Sequence, residues 1–419
     1  MTITVEPNTF TNWSENLRCE PASIVKPSSE EAVIEALAAA DGGKARIVGA
    51  GHSFSPIHTT EHTLISLDHL AGIGSIDAAA QRVVCGPGTR IRDFGERLWE
   101  AGLVLKNQGD IDKQHIVGAI STATHGSGLR IPSFASAGRR FRLVTPSGEV
   151  LNVDESDPDL LAATQVALGM LGVITEVELE VRESFALAES LEFWSLEEVL
   201  GRWDEENANR RHFSFFWMPA SDSPDRLFME YPEGMDMADR SRVKLYDELP
   251  ADVLDGDVEA VIAEQNLTRL DRPYRIYPDP EFQGEIMMRE LEYMVPYEQG
   301  KDAFLALREL CLNEYPENKY PIETRFIAAE DAWLSPFYGR DSVSISICGH
   351  KPQDFMKFLK DVAAVLDPFD PRPHWGKIFF MDRERVAAAF PKYADFVETR
   401  RRLDPDGVLL NDELARLFS

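Results

Sequence analysis

The sequence has little of what marks secreted, membrane-spanning or metal-binding chains. Its 419 residues include only 4 cysteines, and none forms a CxxC pair, so neither a zinc site nor a disulfide framework is indicated. No window approaches 18 apolar residues, which predicts no membrane span. The N-terminus has no basic region followed by an apolar stretch, so no secretory signal is predicted. We therefore expect a soluble, cytoplasmic protein without a bound metal.

Positive charge is also scarce. The chain has 43 Lys and Arg residues against 71 Asp and Glu residues, which gives a formal charge of −28. The longest basic run is Arg400–Arg402, so a phosphate backbone would be repelled and nucleic-acid binding is excluded. Hydrophobic residues make up 44%, which is ordinary for a globular protein and excludes disorder or a coiled coil for most of the chain. The length suggests roughly two or three domains.

The first third alternates strand and helix patterns. Ser28 and Glu31 have the spacing of a capping box and predict a helix start. Further strands and helices are predicted from apolar runs and periodicity at 45–48, 63–67, 82–88, 91–102, 143–153, 157–171 and 172–181. In the last of these the alternate residues Val173, Thr175, Val177, Leu179 and Val181 face one way, which is typical of a half-buried antiparallel strand.

The middle of the chain, from about 186 to 370, has longer apolar runs separated by helical patterns. This arrangement favours an antiparallel sheet covered by helices. The predicted strands are 212–218, 226–231, 322–329 and 342–349, and the predicted helices are 196–210, 301–315 and 352–366. A last helix is predicted over 384–403, whereas 232–290 carries no clear pattern.

Two glycine-rich turns are candidates for ligand binding. The first, GAGHS at 49–53, follows a predicted strand, so its backbone N–H groups could hold a pyrophosphate. It lacks the third glycine of GxGxxG and the P-loop lysine, and taken alone it favours a tight turn with a chance histidine. The second lies within the Gly-, Ser- and Thr-rich stretch 107–128, where backbone can approach a ligand closely. Together they could bind both ends of one large cofactor.

Four motifs in order resemble a known family. GAGHS at 49–53 and ISTATHGSG at 120–128 resemble the FAD-binding domain of vanillyl-alcohol-oxidase-type flavoproteins. ETR at 323–325 and HWGK at 374–377 resemble the sugar-1,4-lactone oxidase and alditol oxidase branch. The resemblance runs from about residue 12 to the end of the chain. In the middle region it rests only on the pattern of predicted strands and helices.

The resemblance implies an α+β protein with a two-domain vanillyl-alcohol-oxidase-like (PCMH-type) FAD-binding fold. In this fold an antiparallel-sheet substrate domain, covered by helices, is inserted into the FAD-binding domain. We expect residues 1–185 to form the first part of the FAD-binding domain, 186–370 the substrate (cap) domain, and 371–419 a C-terminal segment that returns to the FAD site.

The resemblance also implies which residues hold FAD. His52 stands where the family's histidine bonds covalently to the flavin 8α-methyl carbon, and the alternative is a turn histidine bonded to nothing. Residues 47–53 would form the pyrophosphate loop. The further residues expected along the cofactor are Ile47, Val48, Gly49, Ala50, Gly51, Ser53, Gly109, Asp110, His115, Gly118, Ala119, Thr122, Ala123, Thr124, His125, Ile174 and His374.

The pair Gly109-Asp110 bears on oxygen and substrate. Family members with Gly at the first position tend to react with oxygen, because space is left beside the flavin, and those with Ala tend to be dehydrogenases. Gly109 therefore implies an oxidase. Asp110 stands where alditol oxidases have Ser, and the alternative is an Asp that only forms a turn.

Glu323 and Arg325 lie two apart on a predicted strand and project on one face. Such a pair could bind a polyol or lactone, and from spacing alone a surface ion pair is at least as plausible. The resemblance favours function and adds Lys377, either as a base or as a cation beside the flavin. Ser346 and Cys348 stand where alditol oxidases have His and Thr, which argues against a strict alditol oxidase. The predicted substrate set is Asp110, Glu323, Arg325, Ser346, Cys348 and Lys377.

The function implied by the resemblance is an FAD-dependent oxidase of a sugar-derived alcohol. The first choice of substrate is a neutral aldono-1,4-lactone (gulono-, galactono- or arabinono-), with hydride transfer to flavin N5 and reoxidation by molecular oxygen to hydrogen peroxide. Three alternatives stay open. They are an alditol oxidase, a dehydrogenase that uses another acceptor, and a flavin-binding protein without turnover. A monomer is expected.

Overall fold

The computed structural model describes residues 8–278, 289–349 and 355–419. Its strands are β1 (Phe10–Thr11), β2 (Arg18–Cys19), β3 (Ser23–Val25), β4 (Ala45–Val48), β5 (Thr63–Ser66), β6 (Ile73–Asp77), β7 (Arg82–Cys85), β8 (Leu103–Leu105), β9 (Gly138–Val144), β10 (Val150–Val153), β11 (Val173–Glu183), β12 (Phe185–Ser195), β13 (His212–Met218), β14 (Arg240–Pro250), β15 (Arg269–Asp271), β16 (Arg289–Pro296), β17 (Ile322–Ile327), β18 (Ser342–Gly349) and β19 (Arg372–Pro373). Its helices are α1 (Glu30–Ala38), α2 (Ile91–Trp99), α3 (Ile116–Ser121), α4 (Pro158–Gln165), α5 (Leu196–Asn209), α6 (Val258–Gln265), α7 (Pro273–Ile276), α8 (Gly300–Glu314), α9 (Phe355–Leu366), α10 (Arg383–Ala389), α11 (Tyr393–Leu403) and α12 (Asp412–Phe418). In these ranges no helix has the length and apolar character needed to cross a bilayer.

The N-terminal part contains two main sheets. A parallel sheet has the order β3-β5-β4, and an antiparallel sheet has the order β10-β9-β11-β7-β6, with β8 also paired to β11. The predicted alternation in β11 is confirmed, because Val177, Leu179 and Val181 are buried while the glutamates between them are half-buried. The parallel sheet matters for the site, because β4 leads directly into the first glycine-rich turn.

The larger antiparallel sheet has the order β15-β12-β14-β13-β17-β18-β16-β19. Successive side chains of a strand point to opposite faces, and both faces of this sheet are used. On one face the aromatic rings of β13 and β17 pack against helices, as in the contact of Phe215 with Phe304 on α8 and of Phe326 with Trp203 on α5. The other face holds Glu323, Arg325 and their neighbours. The predicted antiparallel sheet covered by helices is thus confirmed.

Several predicted boundaries were wrong for identifiable reasons. Helix α1 is capped by Ser29, whose hydroxyl accepts from the Ala32 N–H, so the cap is one residue later than predicted. The predicted strand 226–231 is absent, because its start belongs to a 3-10 turn that ends at Phe228 with φ 55°. The predicted helix 384–403 is broken into α10 and α11 at Pro391, which has no N–H to donate.

Other predicted elements are shorter than their patterns, or were missed. The helix predicted over 157–171 ends at Gln165, and of the helix predicted over 352–366 the start at 352–354 lies outside the described residues. Strand β14 lies in the stretch left without a prediction, and β16 begins at its end. Like β12, which was also not predicted, these strands pair over eight or more residues in the large sheet, so tertiary pairing decided what local pattern did not.

The C-terminal segment lies against the first glycine-rich turn. Phe54 N donates to Gly376 O at 2.7 Å, and Asn411 Nδ2 donates to Pro56 O at 2.8 Å. Ala45 N also donates to Val408 O at 2.9 Å, and β19 pairs with β16 of the large sheet. This segment therefore joins the parallel sheet to the large sheet, while the domain boundaries at 185 and 370 stay predictions.

Candidate active site

One cavity lies between the glycine-rich loops and the large sheet. It encloses about 1660 Å³ including its open mouth. The predicted site residues that border it are Ile47, Val48, Gly49, Ala50, Gly51, His52, Ser53, Gly109, Asp110, His115, Gly118, Ala119, Thr122, Thr124, His125, Ile174, Glu323, Arg325, Ser346, Cys348, His374 and Lys377. Residues predicted from separate motifs thus meet at one place.

Ala123 is the predicted residue that does not border the cavity. It follows α3 in a left-handed turn, with φ 56°, and its N–H donates to Ile120 O at 3.0 Å. This conformation directs its methyl group into the hydrophobic core, where it is completely buried. Its side chain therefore serves packing, while the predicted backbone contact of Ala123 with the cofactor stays a prediction.

The loop at 49–53 offers backbone donors to the cavity. Gly51 has φ 70°, a conformation that favours glycine, and its carbonyl accepts from Trp13 N at 2.9 Å. The Ser53 carbonyl accepts from Asn12 Nδ2 at 3.0 Å. These contacts fix the turn through its carbonyl groups, whereas no backbone acceptor is found in the described residues for the N–H groups of 50–53. The turn is therefore suited to an anionic group.

His52 is held in this loop as a neutral imidazole. Its ring stacks on the indole of Trp13, with centroids 5.5 Å apart and an interplanar angle of 26°. Burial lowers the pKa of His52 to about 4, and the positive charges of Arg90, Lys113 and Lys377 add to the effect. A neutral ring keeps one nitrogen lone pair available at neutral pH.

The side of the cavity formed by residues 47–53 and 109–125 is called the loop wall here. Around α3, this wall has open space and a polar atom without a partner among the described residues. A Cβ added at Gly118 in α3 would meet nothing within 4 Å, so the backbone there borders open cavity. His115 is buried, and its Nδ1 has no hydrogen-bond partner among the described residues. A long ligand lying against this backbone would find both the room and a polar contact.

The side of the cavity formed by side chains of the large antiparallel sheet is called the sheet wall here, and Arg325 lies at its centre. Its Nη1 lies 2.9 Å from Asp110 Oδ2, and its Nη2 lies 3.0 Å from Glu323 Oε2 and 3.5 Å from Glu292 Oε1. Burial alone would lower the pKa of the guanidinium, but the carboxylates of Glu323, Asp110 and Glu292 hold that pKa well above its usual value. Asp110 is therefore an ion-pair partner across the cavity and does more than form a turn.

Glu323 is a carboxyl group with an unusual proton affinity. Burial raises its pKa to about 8, against the opposing charge of Arg325 and with a further contribution from Asp110. A carboxyl with a raised pKa can donate a hydrogen bond when it is protonated and accept one when it is ionised.

Lys377 is fixed by a carboxylate on the neighbouring strand. Its Nζ forms an ion pair with Glu290 Oε2, and the other oxygen of Glu290 accepts from the Ser346 hydroxyl. The ammonium also lies 5.3 Å from the ring of Phe54. Ser346 thus acts on Lys377 through Glu290. Burial raises the pKa of the nearby Cys348 thiol, which keeps it protonated.

A second carboxylate on β16, Glu292, meets two histidines. Its Oε1 lies 3.0 Å from His125 Nε2, and one ligand atom from each of Glu292, His125 and His374 lies within 4.8 Å of the others. His374 Nδ1 accepts from Gly376 N at 3.0 Å, so its proton sits on Nε2, and burial lowers its pKa to about 3. The proton on Nε2 and the positive charge of Arg325 nearby both oppose a metal cation here.

Glu290 and Glu292 were missed by sequence reasoning. They lie two apart on one strand, which is the same spacing that identified Glu323 and Arg325. The alternation Glu-Leu-Glu-Tyr at 290–293 could have been noticed, but nothing local says that this strand borders the cavity. Trp13 was missed as well, because an isolated aromatic residue near the N-terminus carries no pattern.

Comparison with known proteins identifies relatives along the chain. Residues 21–154 match the family described as FAD binding domain, and residues 267–417 match the family described as D-arabinono-1,4-lactone oxidase. The chain is 32% identical to the L-gulono-1,4-lactone dehydrogenase of Mycobacterium tuberculosis, over 98% of this chain and 99% of that protein. It is 27% identical to the L-gulonolactone oxidase of Mus musculus, over 98% of each. It is also 27% identical to the alditol oxidase of a Streptomyces species, over 97% of this chain and 98% of that protein.

The fold has relatives among solved structures. Cholesterol oxidase from B. sterolicum superimposes with a TM-score of 0.76 at 13% identity, over 99% of this chain and 97% of that one. A likeness at this identity shows the shared fold, in agreement with the predicted fold class.

The residues present fit FAD, the cofactor of the matched domain. The N–H groups of 50–53, which have no backbone acceptor in the described part of the chain, suit its pyrophosphate. The open backbone at Gly118 leaves room beside it, and His115 Nδ1, without a partner in the same ranges, offers a polar contact. With this fit and the full-length relatives, the chain belongs to the family of FAD-dependent oxidoreductases that includes the sugar-1,4-lactone oxidases and dehydrogenases and the alditol oxidases.

Proposed function

We propose that this chain is an FAD-dependent oxidase of an aldono-1,4-lactone, with gulono-, galactono- and arabinono-1,4-lactone as the candidate substrates. The observation that carries the proposal is the buried cluster of Arg325, Asp110 and Glu323, which shares one cavity with the glycine-rich loop at 49–53. The relatives named for gulonolactone and arabinonolactone support the choice of substrate.

The residues expected to hold FAD form the loop wall. They are the backbone of 49–53 and the side chains and backbone that border the cavity at His115, Gly118, Thr124 and Ile174. Bound FAD would supply a hydride acceptor that molecular oxygen regenerates with release of hydrogen peroxide.

The sheet wall is suited to a neutral, hydroxylated substrate. The guanidinium of Arg325 can donate to a ring or carbonyl oxygen, and the carboxyl groups of Asp110 and Glu323 can accept from hydroxyls. The carboxylates of Glu290 and Glu292 on the same wall are each paired with a basic side chain, so they add little net charge toward a substrate. A lactone ring, with its hydroxyls and its carbonyl oxygen, meets these conditions.

Glu323 is the proposed proton acceptor for the substrate hydroxyl. A pKa of about 8 places its ionisation near neutral pH, which is a favourable range for a general base. Lys377 is paired with Glu290, so its proposed role is a fixed positive charge that stabilises negative charge formed during oxidation. Arg325 holds the reacting oxygen.

A panel of substrates tests the proposal. Purified holoenzyme is mixed with the three lactones, with xylitol and sorbitol, and with gluconate as an anionic control, and peroxide is measured. We expect peroxide with at least one lactone and none with gluconate. Peroxide with alditols alone would replace the proposal with an alditol oxidase, for which the Streptomyces relative is a precedent.

The covalent bond between FAD and His52 is a separate part of the proposal. The neutral ring of His52, stacked on Trp13 in the loop, has a nitrogen available for the bond. After acid precipitation we expect the flavin to stay with the protein and to map to the His52 peptide. In His52→Ala the flavin should wash out. Complete release of flavin from the unmodified chain would disprove the bond.

A dehydrogenase is the second candidate function, because the Mycobacterium tuberculosis relative carries that name. Gly109 decides between the two in our proposal, and its position tolerates a methyl group, since an added Cβ would lie 3.6 Å from His125 O. In Gly109→Ala we expect slower turnover with oxygen and unchanged turnover with an artificial dye. Turnover of the unmodified enzyme with dye but not with oxygen would establish the dehydrogenase. The monomeric state stays a prediction from the sequence.

A further inference from the structure

Glu292 lies behind the substrate wall and contacts several site groups at once. Its Oε1 lies 2.5 Å from Ser344 Oγ, 3.0 Å from His125 Nε2 and 3.5 Å from Arg325 Nη2. Its backbone carbonyl accepts from His374 N at 3.0 Å. The carboxylate is almost completely buried, with a side-chain exposure of 1%. One residue of β16 thus connects three separate segments that border the cavity.

Hydrogen-bond accounting assigns a proton to each ring nitrogen of His125. Nδ1 lies 2.8 Å from the Gly126 carbonyl, which can only accept, so Nδ1 carries a proton. Nε2 faces Glu292 Oε1, which already accepts from the Ser344 hydroxyl and lies near the Arg325 guanidinium. Because this oxygen accepts from the Ser344 hydroxyl and lies beside the positive charge of Arg325, it has no proton to give, so Nε2 carries its own. His125 is therefore an imidazolium.

The charges around this pair agree with that assignment. Burial opposes ionisation of Glu292, but the nearby charges of His125 and Arg325 keep the pKa of the carboxyl well below its usual value. The other charged or titratable groups facing the pair are Glu323, Asp110, His374 and Lys377.

We propose that Glu292 is a positioning residue that keeps His125 doubly protonated and orients the guanidinium of Arg325. Two fixed positive charges then border the part of the cavity where the substrate oxygen is expected to lie. The functional half of this inference rests on the proposed function, because it assigns to the two charges the stabilisation of negative charge that develops as the substrate is oxidised. The protonation half does not depend on the identity of the substrate.

Nuclear magnetic resonance of the holoenzyme labelled with ¹⁵N in histidine tests the protonation directly. His125→Gln identifies the resonances. We expect the spectrum to show a proton on each ring nitrogen of His125, in keeping with its contacts to the Gly126 carbonyl and to Glu292. In Glu292→Gln the ring should become neutral with its proton on Nδ1, and kcat/KM should fall about 10- to 100-fold, as for other residues that orient functional histidines.

Two further variants make the test specific. Glu292→Asp keeps the negative charge and should retain the imidazolium signal. Glu290→Gln removes the sibling carboxylate two residues away, which contacts Lys377, and should leave the His125 signal unchanged.

The possible outcomes separate this inference from the proposed function. A neutral His125 in the unmodified holoenzyme would overturn the inference, and this spectrum needs no variant to fold. Loss of the Nε2 proton to a bound metal would overturn it as well. An imidazolium that survives in Glu292→Gln would remove the positioning role. An imidazolium that depends on Glu292, in an enzyme that oxidises no lactone, would support the inference and reject the proposed substrate.

Discussion

The two walls of the cavity present different chemical groups: the loop wall presents mainly backbone, and the sheet wall presents charged side chains. The loop wall uses glycine-rich backbone between short elements, and the polar groups that it offers are mostly backbone N–H groups and one histidine nitrogen. The sheet wall uses charged side chains on long paired strands, with Asp110 reaching across from the loops to Arg325. Backbone groups recognise features common to all members of a cofactor class, whereas side chains can change without disturbing the strands. The difference indicates that the loop wall determines which cofactor is bound and that the sheet wall determines which substrate is bound.

Removing Arg325 should give the largest effect and confine it to the sheet wall. In Arg325→Leu the carboxylates of Asp110, Glu323 and Glu292 lose their shared cation, and the substrate loses its main donor. We expect kcat/KM to fall about 100- to 1000-fold while FAD content stays normal. Stopped-flow reduction by substrate under anaerobic conditions measures the loss of activity, and flavin absorbance measures the FAD content. Arg416→Leu, which removes an exposed partner of Glu413, is the matched control. Loss of FAD in Arg325→Leu would contradict the division between the walls.

Lys377 lies where the walls meet, so its loss tests which of them it serves. In Lys377→Met the side chain keeps its length but loses the charge that pairs with Glu290. We expect FAD binding to persist and the rate of reduction by substrate to fall about 100-fold. The measurement is again anaerobic reduction by a lactone. Normal reduction in this variant would show that the fixed charge has no part in the reaction.

Filling the space at Gly118 should affect the loop wall alone. A valine side chain there would project into open cavity next to α3. We expect FAD to be captured about tenfold more weakly before any covalent bond forms, because about 1.4 kcal/mol of overpacking is enough for that change, and the purified variant to carry less FAD. The absorbance ratio of flavin to protein measures it. Gly201→Val, at an exposed site in α5, is the control and should keep its FAD. Full FAD content in Gly118→Val would mean that the cofactor lies elsewhere.

The pH dependence of stability should give the smallest effect. Because the pKa of Glu323 is raised to about 8 in the folded protein, folding takes up a proton between the unfolded value of about 4.5 and that value. The stability contributed by this group is complete below about pH 4.5 and is lost as the pH rises through about 8. Glu323→Gln lacks this slope. We expect the difference in Tm between the two proteins to change by a few degrees between about pH 5 and about pH 8. A constant difference would contradict the raised pKa.

Sequence reasoning succeeded where the signal is local. The turn at 49–53 follows an apolar strand and carries its own glycines, and the strand that holds Glu323 and Arg325 has a recognisable motif. Both were placed in the cavity by the structure. The alternation in β11 was predicted for the same reason, since burial on one face leaves a period of two in the residues.

Sequence reasoning failed where a residue's role depends on contacts with residues that are far away in the sequence. Lys377 and Glu290 are 87 residues apart, and only the pairing of β16 with β18 brings Glu290 beside Ser346 and the lysine. The strand β16 itself was not predicted, because glutamates at alternate positions look like a solvent-facing edge until a second wall covers them. Carboxylates that act on other site residues are therefore the part of this site that sequence conceals.

The attachment of the C-terminal segment has a consequence for how the holoenzyme is made. His374 and Lys377 border the cavity, and Asn411 and Val408 secure the segment to the region around β4. The ribosome synthesises a chain from its N-terminus onward, so the glycine-rich loop at 49–53 is made long before the C-terminal segment that contacts it. The complete pocket can form only after the segment from His374 to Asn411 has been synthesised. Cofactor capture in its final geometry therefore has to wait for that segment.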